Sequence, residues 1–179
     1  YAKLNSDRYE HLAPMANFAR VTRGIATGAN GYFTFSRSRI RESGIPHKYF
    51  LRCITKSSQV RSLYFTNQQF KTLADADRPV YLLNATDSAD PPLNAYLKHG
   101  EQEGIDKKYL TSHRRPWYAL ENRPPAPVLA NVFSRGGIRF VRNLASASNL
   151  TCYHCVYVHP MYQDKTDLLM AYLATDIAR

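Results

Sequence analysis

The sequence RVTRGIATGANGYF, residues 20–33, places a glycine-rich turn between two segments that have the composition of β-strands. Glycine adopts the backbone conformations of tight turns without steric cost, and three glycines fall within or beside this turn. Phe18 and Val21 suit a strand over residues 17–22, and residues 31–35 suit a second strand. The stretch therefore predicts strand, long turn and strand. The turn is either a structural connection between the strands or a loop that binds a ligand.

The rest of the chain alternates between the periodicities of helices and strands. Gly44 and Pro46 end a short basic helix, Asn67 is the predicted N-cap of a second helix, and Gly100 and Gly104 divide a third segment into two helices. Helices are predicted within residues 36–46, 67–76, 91–114 and 167–179, and strands at residues 62–66, 80–84, 128–133, 138–142 and 151–158. The sum is an α+β fold, a mixed β-sheet with inserted helices, in a single domain over residues 1–179.

The composition is that of a soluble, folded protein with a strongly basic balance. The 179 residues include 24 Lys and Arg against 14 Asp and Glu, which gives a formal net charge of +10. Such a charge favours a polyanionic partner, nucleic acid first, and arginine offers a planar fork for phosphates and guanine edges. The alternative is a solvated basic face. No apolar run is long enough to span a membrane.

Cysteine usage indicates a reducing compartment and no metal site. Cys53, Cys152 and Cys155 form an odd set without a signal peptide, which predicts reduced thiols in a cytoplasmic protein. Cys152 and Cys155 lack a second cysteine pair for zinc, and a strand across them would send them to opposite faces. We therefore expect no metal. The first residue is Tyr1, which suggests a fragment cut from a longer polypeptide.

Two motifs of nucleotide-binding and methyl-transfer enzymes are incomplete in this chain. Gly24 and Gly28 lack the spacing and the lysine of a P-loop, and no Gly-x-Gly occurs for a dinucleotide. Asp90-Pro-Pro-Leu93 resembles the Asp/Asn-Pro-Pro-aromatic motif of amino-group DNA methyltransferases, but leucine cannot stack on a flipped base. A helix cap at Asp90 explains the motif better. No complete catalytic site is recognisable, so the chain is not expected to be an enzyme by itself.

Arginines close to aromatic rings and glycines remain as the candidate functional residues. Side by side, such groups suit contacts with phosphates, base edges and base faces. For a single arginine the competing explanation is a solvated side chain, and for Trp117 it is packing in the core. The candidate DNA contacts are Arg23, Thr27, Gly28, Asn30, Arg39, Arg114, Arg115, Trp117, Tyr118, Arg135, Arg139, Arg142 and Asn143.

Four segments in order resemble a known family of domains. They are VTRGIATGANGYF at residues 21–33, a long run with RRPWY at residues 96–129, RFVRNLASASNLTCYHCVYV at residues 139–158 and DLLMAYLATDIA at residues 167–178. The family is the TaqI-like C-terminal specificity, or target recognition, domain of adenine-specific DNA methyltransferases in restriction-modification systems. The resemblance extends from about residue 17 to the end of the chain.

The resemblance implies the partners of the chain and the limits of its chemistry. In that family an N-terminal methyltransferase domain of the same polypeptide binds S-adenosylmethionine, so no cofactor is expected in this chain. The loop from Arg23 to Asn30 would face double-stranded DNA and help to select the sequence that is methylated, and in combined enzymes cleaved. The compartment would be a bacterial or archaeal cytoplasm. The alternatives are a self-contained nuclease or other nucleic-acid enzyme with an unrecognised site, and a protein-interaction module with an incidental basic surface.

Overall fold

Two β-sheets with helices packed around them make up the fold, which confirms the predicted α+β class. A computed structural model describes residues 12–85, 90–131 and 137–175 of the chain. Nine strands and six α-helices lie within those residues. None of the helices in these ranges has the length and apolar character that a membrane span requires.

The larger sheet has five strands and carries the middle and the end of the chain. Its strands run antiparallel except for β4, which pairs in parallel with β7. In spatial order they are β1 (Ala19–Arg23), β9 (Tyr153–Val158), β6 (Val128–Asn131), β7 (Phe140–Asn143) and β4 (Tyr64–Phe65).

The smaller sheet has four strands and is buried in the main core. β5 pairs antiparallel with β2 and β3, and β8 joins β3 in parallel. The spatial order is β2 (Thr34–Phe35), β5 (Tyr81–Leu83), β3 (Phe50–Ile54) and β8 (Ser148–Asn149). Ile25 forms a parallel bridge with Leu150, so the glycine-rich loop begins at the β8 edge of this sheet.

The six helices are short and most are defined by local signals. They are α1 (Asn30–Phe33), α2 (Arg37–Ser43), α3 (Asn67–Asp75), α4 (Pro91–Gln102), α5 (Tyr109–Ser112) and α6 (Thr166–Leu173). Gly44 ends α2 in the left-handed conformation with φ of 65°, as predicted. The predicted N-cap of α3 is wrong, because Thr66 rather than Asn67 forms a capping box with Gln69. Gly100 lies inside α4, and the chain turns only at Gly104, where φ is +71°.

The predicted strand over residues 31–35 is wrong for its first three residues. Asn30–Phe33 forms the helical turn α1, and only Thr34 and Phe35 are extended. The helical turn buries both Tyr32 and Phe33 in the main core, whereas a strand would point one of them away. Consequently, β1 and β2 do not form a hairpin: they lie in different sheets, and the loop between them connects the sheets.

Two clusters of buried apolar side chains stabilise this arrangement. The main core surrounds the smaller sheet and includes Phe33, Phe35, Leu93 and Leu129. The second cluster lies between the larger sheet and α6, where Met170 and Leu173 pack on Val128, Phe140 and Val156. The loop between β1 and α1 contributes Ile25 and Ala29 to the main core and is therefore packed against it.

Candidate nucleic-acid interface

The first half of the glycine-rich loop is fixed against the turn between β8 and β9. The backbone N–H of Gly24 donates to the Tyr153 carbonyl at 3.1 Å, and that of Ile25 donates to the Asn149 carbonyl at 2.9 Å. A Cβ atom on Gly24 would lie 2.2 Å from the Leu150 carbonyl oxygen. Only glycine fits this close approach of two backbones.

The second half of the loop is held by its own polar side chains. The buried Thr27 hydroxyl donates to Oδ1 of Asn30 at 2.6 Å and accepts a hydrogen bond from the N–H of Ala29. Gly28 has φ of +78°, and a Cβ atom there would lie 2.8 Å from Cβ of Leu110. The absence of a side chain at Gly28 therefore lets the loop pack on α5. Close approach of DNA to Gly28 stays a prediction.

Arg114 joins this loop to the segment that follows α5. Its guanidinium donates to the carbonyl of Thr27 at 3.0 Å and to the carbonyl of Ala26. Burial lowers the pKa of Arg114, and nearby Glu121 opposes that shift. The two segments are 87 positions apart in sequence, and Arg114 holds them together as one surface.

Glu121 balances part of the positive charge at the same place. It forms ion pairs with Arg23 at 2.5 Å and with Arg123 at 2.8 Å. Burial opposes its ionisation, but the hydrogen bonds from these two arginines outweigh burial and hold the pKa of Glu121 below its usual value. The sequence prediction missed Glu121, although an acid between the RRPWY run and Arg123 was a visible signal.

Several residues at this place face solvent, and we call four of them the loop surface: Arg23, Gly28, Asn30 and Arg115. Arg115 is exposed, and its Nη1 donates to the carbonyls of Ser112 and Arg114. These local bonds hold the guanidinium end of the side chain next to Arg114. The loop surface thus combines two guanidinium groups, an amide and a backbone without a side chain.

Trp117 and Tyr118 pack against the main core rather than standing free. The Trp117 ring lies 5.8 Å from Tyr32 and 6.3 Å from Phe33, and its Nε1 donates to Glu101 at 3.0 Å. Tyr118 meets the Trp117 ring edge-on at 5.6 Å. A DNA contact by either ring stays a prediction.

Arg39 is surrounded by protein acceptors. Its guanidinium donates to the carbonyls of Gly31 and Thr34 at 2.6 and 2.7 Å, and it lies 4.2 Å above the Phe35 ring. It also donates to the Tyr96 hydroxyl, whose pKa is raised to about 12 by burial. Arg39 therefore satisfies the open carbonyls at the end of α1.

The larger sheet is hydrogen-bonded to neighbouring segments through Arg139, Arg142 and Asn143. Arg139 donates to the Val60 carbonyl and the Tyr153 hydroxyl, and Arg142 donates to Asp167 on α6. The buried Asn143 amide donates to the carbonyls of Ala126 and Ala147. The structure does not bring these residues to the loop surface through any direct contact, and Arg135 lies outside the described residues.

The methyltransferase-like motif has a structural explanation. Leu93 is fully buried in the main core, and Asp90 precedes α4 at the N-cap position. The Asp90 carboxylate accepts hydrogen bonds from the Tyr49 hydroxyl and Lys48, which hold its pKa below the usual value. No group of His, Cys, Asp and Glu that could hold a metal ion occurs in residues 12–85, 90–131 and 137–175.

The three cysteines are expected to be unreactive in the folded chain. Burial raises the pKa of Cys53 and raises that of Cys152 to about 11. The buried Cys155 thiol donates a hydrogen bond to Asn149. Since the thiolate is the reactive form, alkylation by iodoacetamide at pH 8 should be at least about tenfold slower than for a small thiol. Mass spectrometry should find three alkylated cysteines only after denaturation. Rapid alkylation of Cys152 in the native chain would contradict this burial.

Comparison with known proteins identifies a family and two relatives. Residues 3–176 match the family model described as Type II methyltransferase M.Eco57I, C-terminal domain. The chain is 45% identical over 181 residues to Type II methyltransferase M.AccI of Acinetobacter calcoaceticus, covering 100% of the chain and 34% of that protein. It is 26% identical over 139 residues to Type II methyltransferase M.XamI of Xanthomonas campestris pv. amaranthicola, covering 77% of the chain and 26% of that protein. The chain thus spans about a third of the length of M.AccI.

Proposed function

The chain belongs to the family of the C-terminal domain of Type II methyltransferase M.Eco57I, and from this premise we propose that it recognises double-stranded DNA for an adenine-specific methyltransferase. The family confirms the resemblance noted in the sequence. In the proposal the whole chain is one recognition domain, and it catalyses no reaction by itself.

The observation that carries the proposal is the bidentate contact of Arg114 with the glycine-rich loop. This contact assembles Arg23, Asn30 and Arg115 on one surface from segments far apart in sequence. Arginine and asparagine are the side chains that form paired hydrogen bonds with guanine and adenine edges in the major groove. A preorganised surface of this kind loses little conformational entropy on binding.

The local geometry favours different roles for Arg23 and Arg115. Arg23 is paired with Glu121, so part of its charge is already balanced inside the protein. Among the described residues Arg115 bonds to backbone carbonyls alone, and those bonds leave its positive charge unneutralised. A guanidinium without an acidic partner gains more binding free energy from a DNA acceptor. We therefore assign Arg115 the principal base contact and Arg23 a contact with phosphate or a neighbouring base.

Methyl transfer is assigned to the remaining part of the parent polypeptide. In the proposal this chain holds no S-adenosylmethionine; in support, Leu93 of the Asp-Pro-Pro segment is buried and Arg114 bonds to the glycine-rich loop. In the proposal an N-terminal methyltransferase domain binds S-adenosylmethionine and rotates the target adenine out of the duplex. The recognition domain holds the duplex in register for that step.

Replacing Arg115 by alanine should relax the sequence preference of DNA binding. If Arg115 contacts a base edge, affinity for the preferred duplex should fall by about 1–3 kcal/mol and discrimination should weaken at one base pair. Fluorescence anisotropy with the preferred duplex and its single-base variants measures both effects. Arg41→Ala, which removes an exposed arginine from α2, serves as the control and should leave the preference unchanged. An equal loss on every duplex would show that Arg115 contacts phosphate instead.

A further inference from the structure

A polar groove lies beside α3, separate from the loop surface. It has a volume of about 500 Å³ and is lined mainly by hydrophilic side chains, among them Lys56, Ser58, Arg61, Gln69, Thr72 and Arg78. Leu73 and Pro79 also line it, but none of the lining residues that the structure describes carries an aromatic ring or a carboxylate. Its lining therefore offers positive charge and hydrogen-bond donors without a surface for stacking bases.

The three cations of the groove differ from other basic residues of the fold in lacking acidic partners. In the described part of the chain, Arg23, Lys48 and Arg142 each form an ion pair, whereas Lys56, Arg61 and Arg78 form none. The acids nearest to Arg78 in sequence are engaged elsewhere: Asp75 pairs with Arg37 and Lys71, and Asp77 accepts from Ser36 and Ser38. The groove therefore keeps three uncompensated positive charges.

The backbone from which these cations project is held rigidly. The Gln59 amide accepts hydrogen bonds from the N–H of Thr55 and Lys56 and donates to the Pro79 carbonyl. The N–H of Arg78 donates to the Leu73 carbonyl at 2.9 Å, which anchors the end of α3. Because Lys56, Arg61 and Arg78 line one groove, their like charges favour a bound anion.

Tyr153 connects the groove to the loop surface. Its hydroxyl donates to the Ser57 carbonyl at 3.2 Å, in the turn between Lys56 and Arg61. Its own carbonyl accepts from the N–H of Gly24 at 3.1 Å, where the glycine-rich loop begins. One buried residue thus links the groove to the start of the loop, through its side chain on one side and its backbone carbonyl on the other.

We propose that the groove of Lys56, Arg61 and Arg78 binds backbone phosphates of the duplex, away from the bases that the loop surface contacts. The proposal rests on DNA recognition as the function of the chain and extends it to a second contact region. Phosphate groups fit the charged part of the lining because they present several anionic acceptors to its three cations. Contacts of this kind increase affinity and orient the duplex whatever its base sequence.

The test compares two triple variants that remove equal charge. The first is Lys56→Ala, Arg61→Ala and Arg78→Ala; the control is Arg41→Ala, Lys98→Ala and Lys165→Ala, three exposed cations outside the groove. Affinity for two duplexes of equal length and different sequence is measured by anisotropy over a range of KCl concentrations. Thermal melts confirm that both variants fold.

The groove variant should bind both duplexes more weakly, on the order of tenfold, and by the same factor. The slope of log affinity against log salt should decrease in magnitude by about 0.9 for each phosphate that the groove no longer neutralises, while the control should retain most of the wild-type slope.

Equal affinities and slopes for the two triple variants would overturn the groove as a phosphate site, although wild-type binding would still support the proposed function. Weaker binding to only one of the two duplexes would also overturn it, because it would indicate base contacts. If the wild-type chain bound no duplex at all, both proposals would fail together.

Discussion

Replacing Gly24 by alanine should lower the free energy of unfolding by about 3 kcal/mol, the upper part of the range for overpacking at a buried position. The added Cβ atom would lie 2.2 Å from the Leu150 carbonyl oxygen and 2.5 Å from Nδ2 of Asn149. The Leu150 oxygen belongs to the backbone, which cannot move aside as a flexible side chain could. The loop would have to separate from the β8 edge and lose the hydrogen bonds that Gly24 and Ile25 donate.

Urea denaturation of Gly24→Ala and of Gly31→Ala measures this effect against a matched control. Gly31 lies in the helical turn α1, and a Cβ atom there meets no atom within 4 Å. Alanine at position 31 should therefore leave stability unchanged or raise it by up to about 1 kcal/mol. If the two variants had equal stability, the close approach of Gly24 to Leu150 would be contradicted.

Replacing Arg114 by alanine should affect both stability and DNA binding. The change leaves the carbonyls of Ala26 and Thr27 without the donors that close the loop. We expect a loss of about 1–2 kcal/mol in unfolding free energy, since hydrogen bonds to a charged donor are strong but this guanidinium is partly exposed. DNA affinity should fall on every sequence, on the order of tenfold, because the loop surface is no longer held in one arrangement.

The neighbouring Arg115→Ala variant is the control for this prediction. Arg115 is exposed, and within the described part of the chain it bonds to carbonyls of its own segment alone. Its removal should therefore change stability by no more than about 0.5 kcal/mol. Hydrogen exchange of the amides in residues 24–30 reports the loop directly and should accelerate in Arg114→Ala alone. Unchanged exchange in Arg114→Ala would contradict its role as the tie between the two segments.

Structure encoded by neighbouring residues was predictable from the sequence. The end of α2 at Gly44 follows from a left-handed glycine, and α6 follows from its leucine spacing. The error of one residue at the start of α3 arose because Thr66 and Asn67 are both good N-caps, and only the reciprocal bond with Gln69 selects Thr66. Signals within one turn of the chain are sufficient for such elements.

Structure encoded by distant contacts was not predictable in the same way. The helical turn α1 is stabilised by Arg39, which satisfies the carbonyls of Gly31 and Thr34, and by burial of Tyr32 against α4. A Cβ atom on Gly100 would lie 2.5 Å from the Tyr32 hydroxyl, so this glycine admits the ring. None of these contacts is visible in the local sequence GYFTF.

In the candidate site, too, local sequence was informative and distant contacts were not predictable. The sequence indicated which basic residues to consider, but not which guanidinium groups the protein itself occupies. Arg39, Arg139 and Arg142 bond to acceptors in distant parts of the chain or on other elements. Arg115 bonds to carbonyls of its own segment and stays exposed. The groove cations Lys56, Arg61 and Arg78 were not predicted, because the groove forms only when the end of α3 folds back beside residues 56–61.

Selection from a random duplex library tests DNA recognition by this chain most directly. The purified chain is incubated with the library near physiological salt, bound duplexes are recovered over several rounds, and the recovered pool is sequenced. We predict enrichment of one short sequence motif, with weakened preference at one of its positions for Arg115→Ala. Binding without enrichment of any motif, or no binding at all, would contradict the assignment of the chain as a target recognition domain.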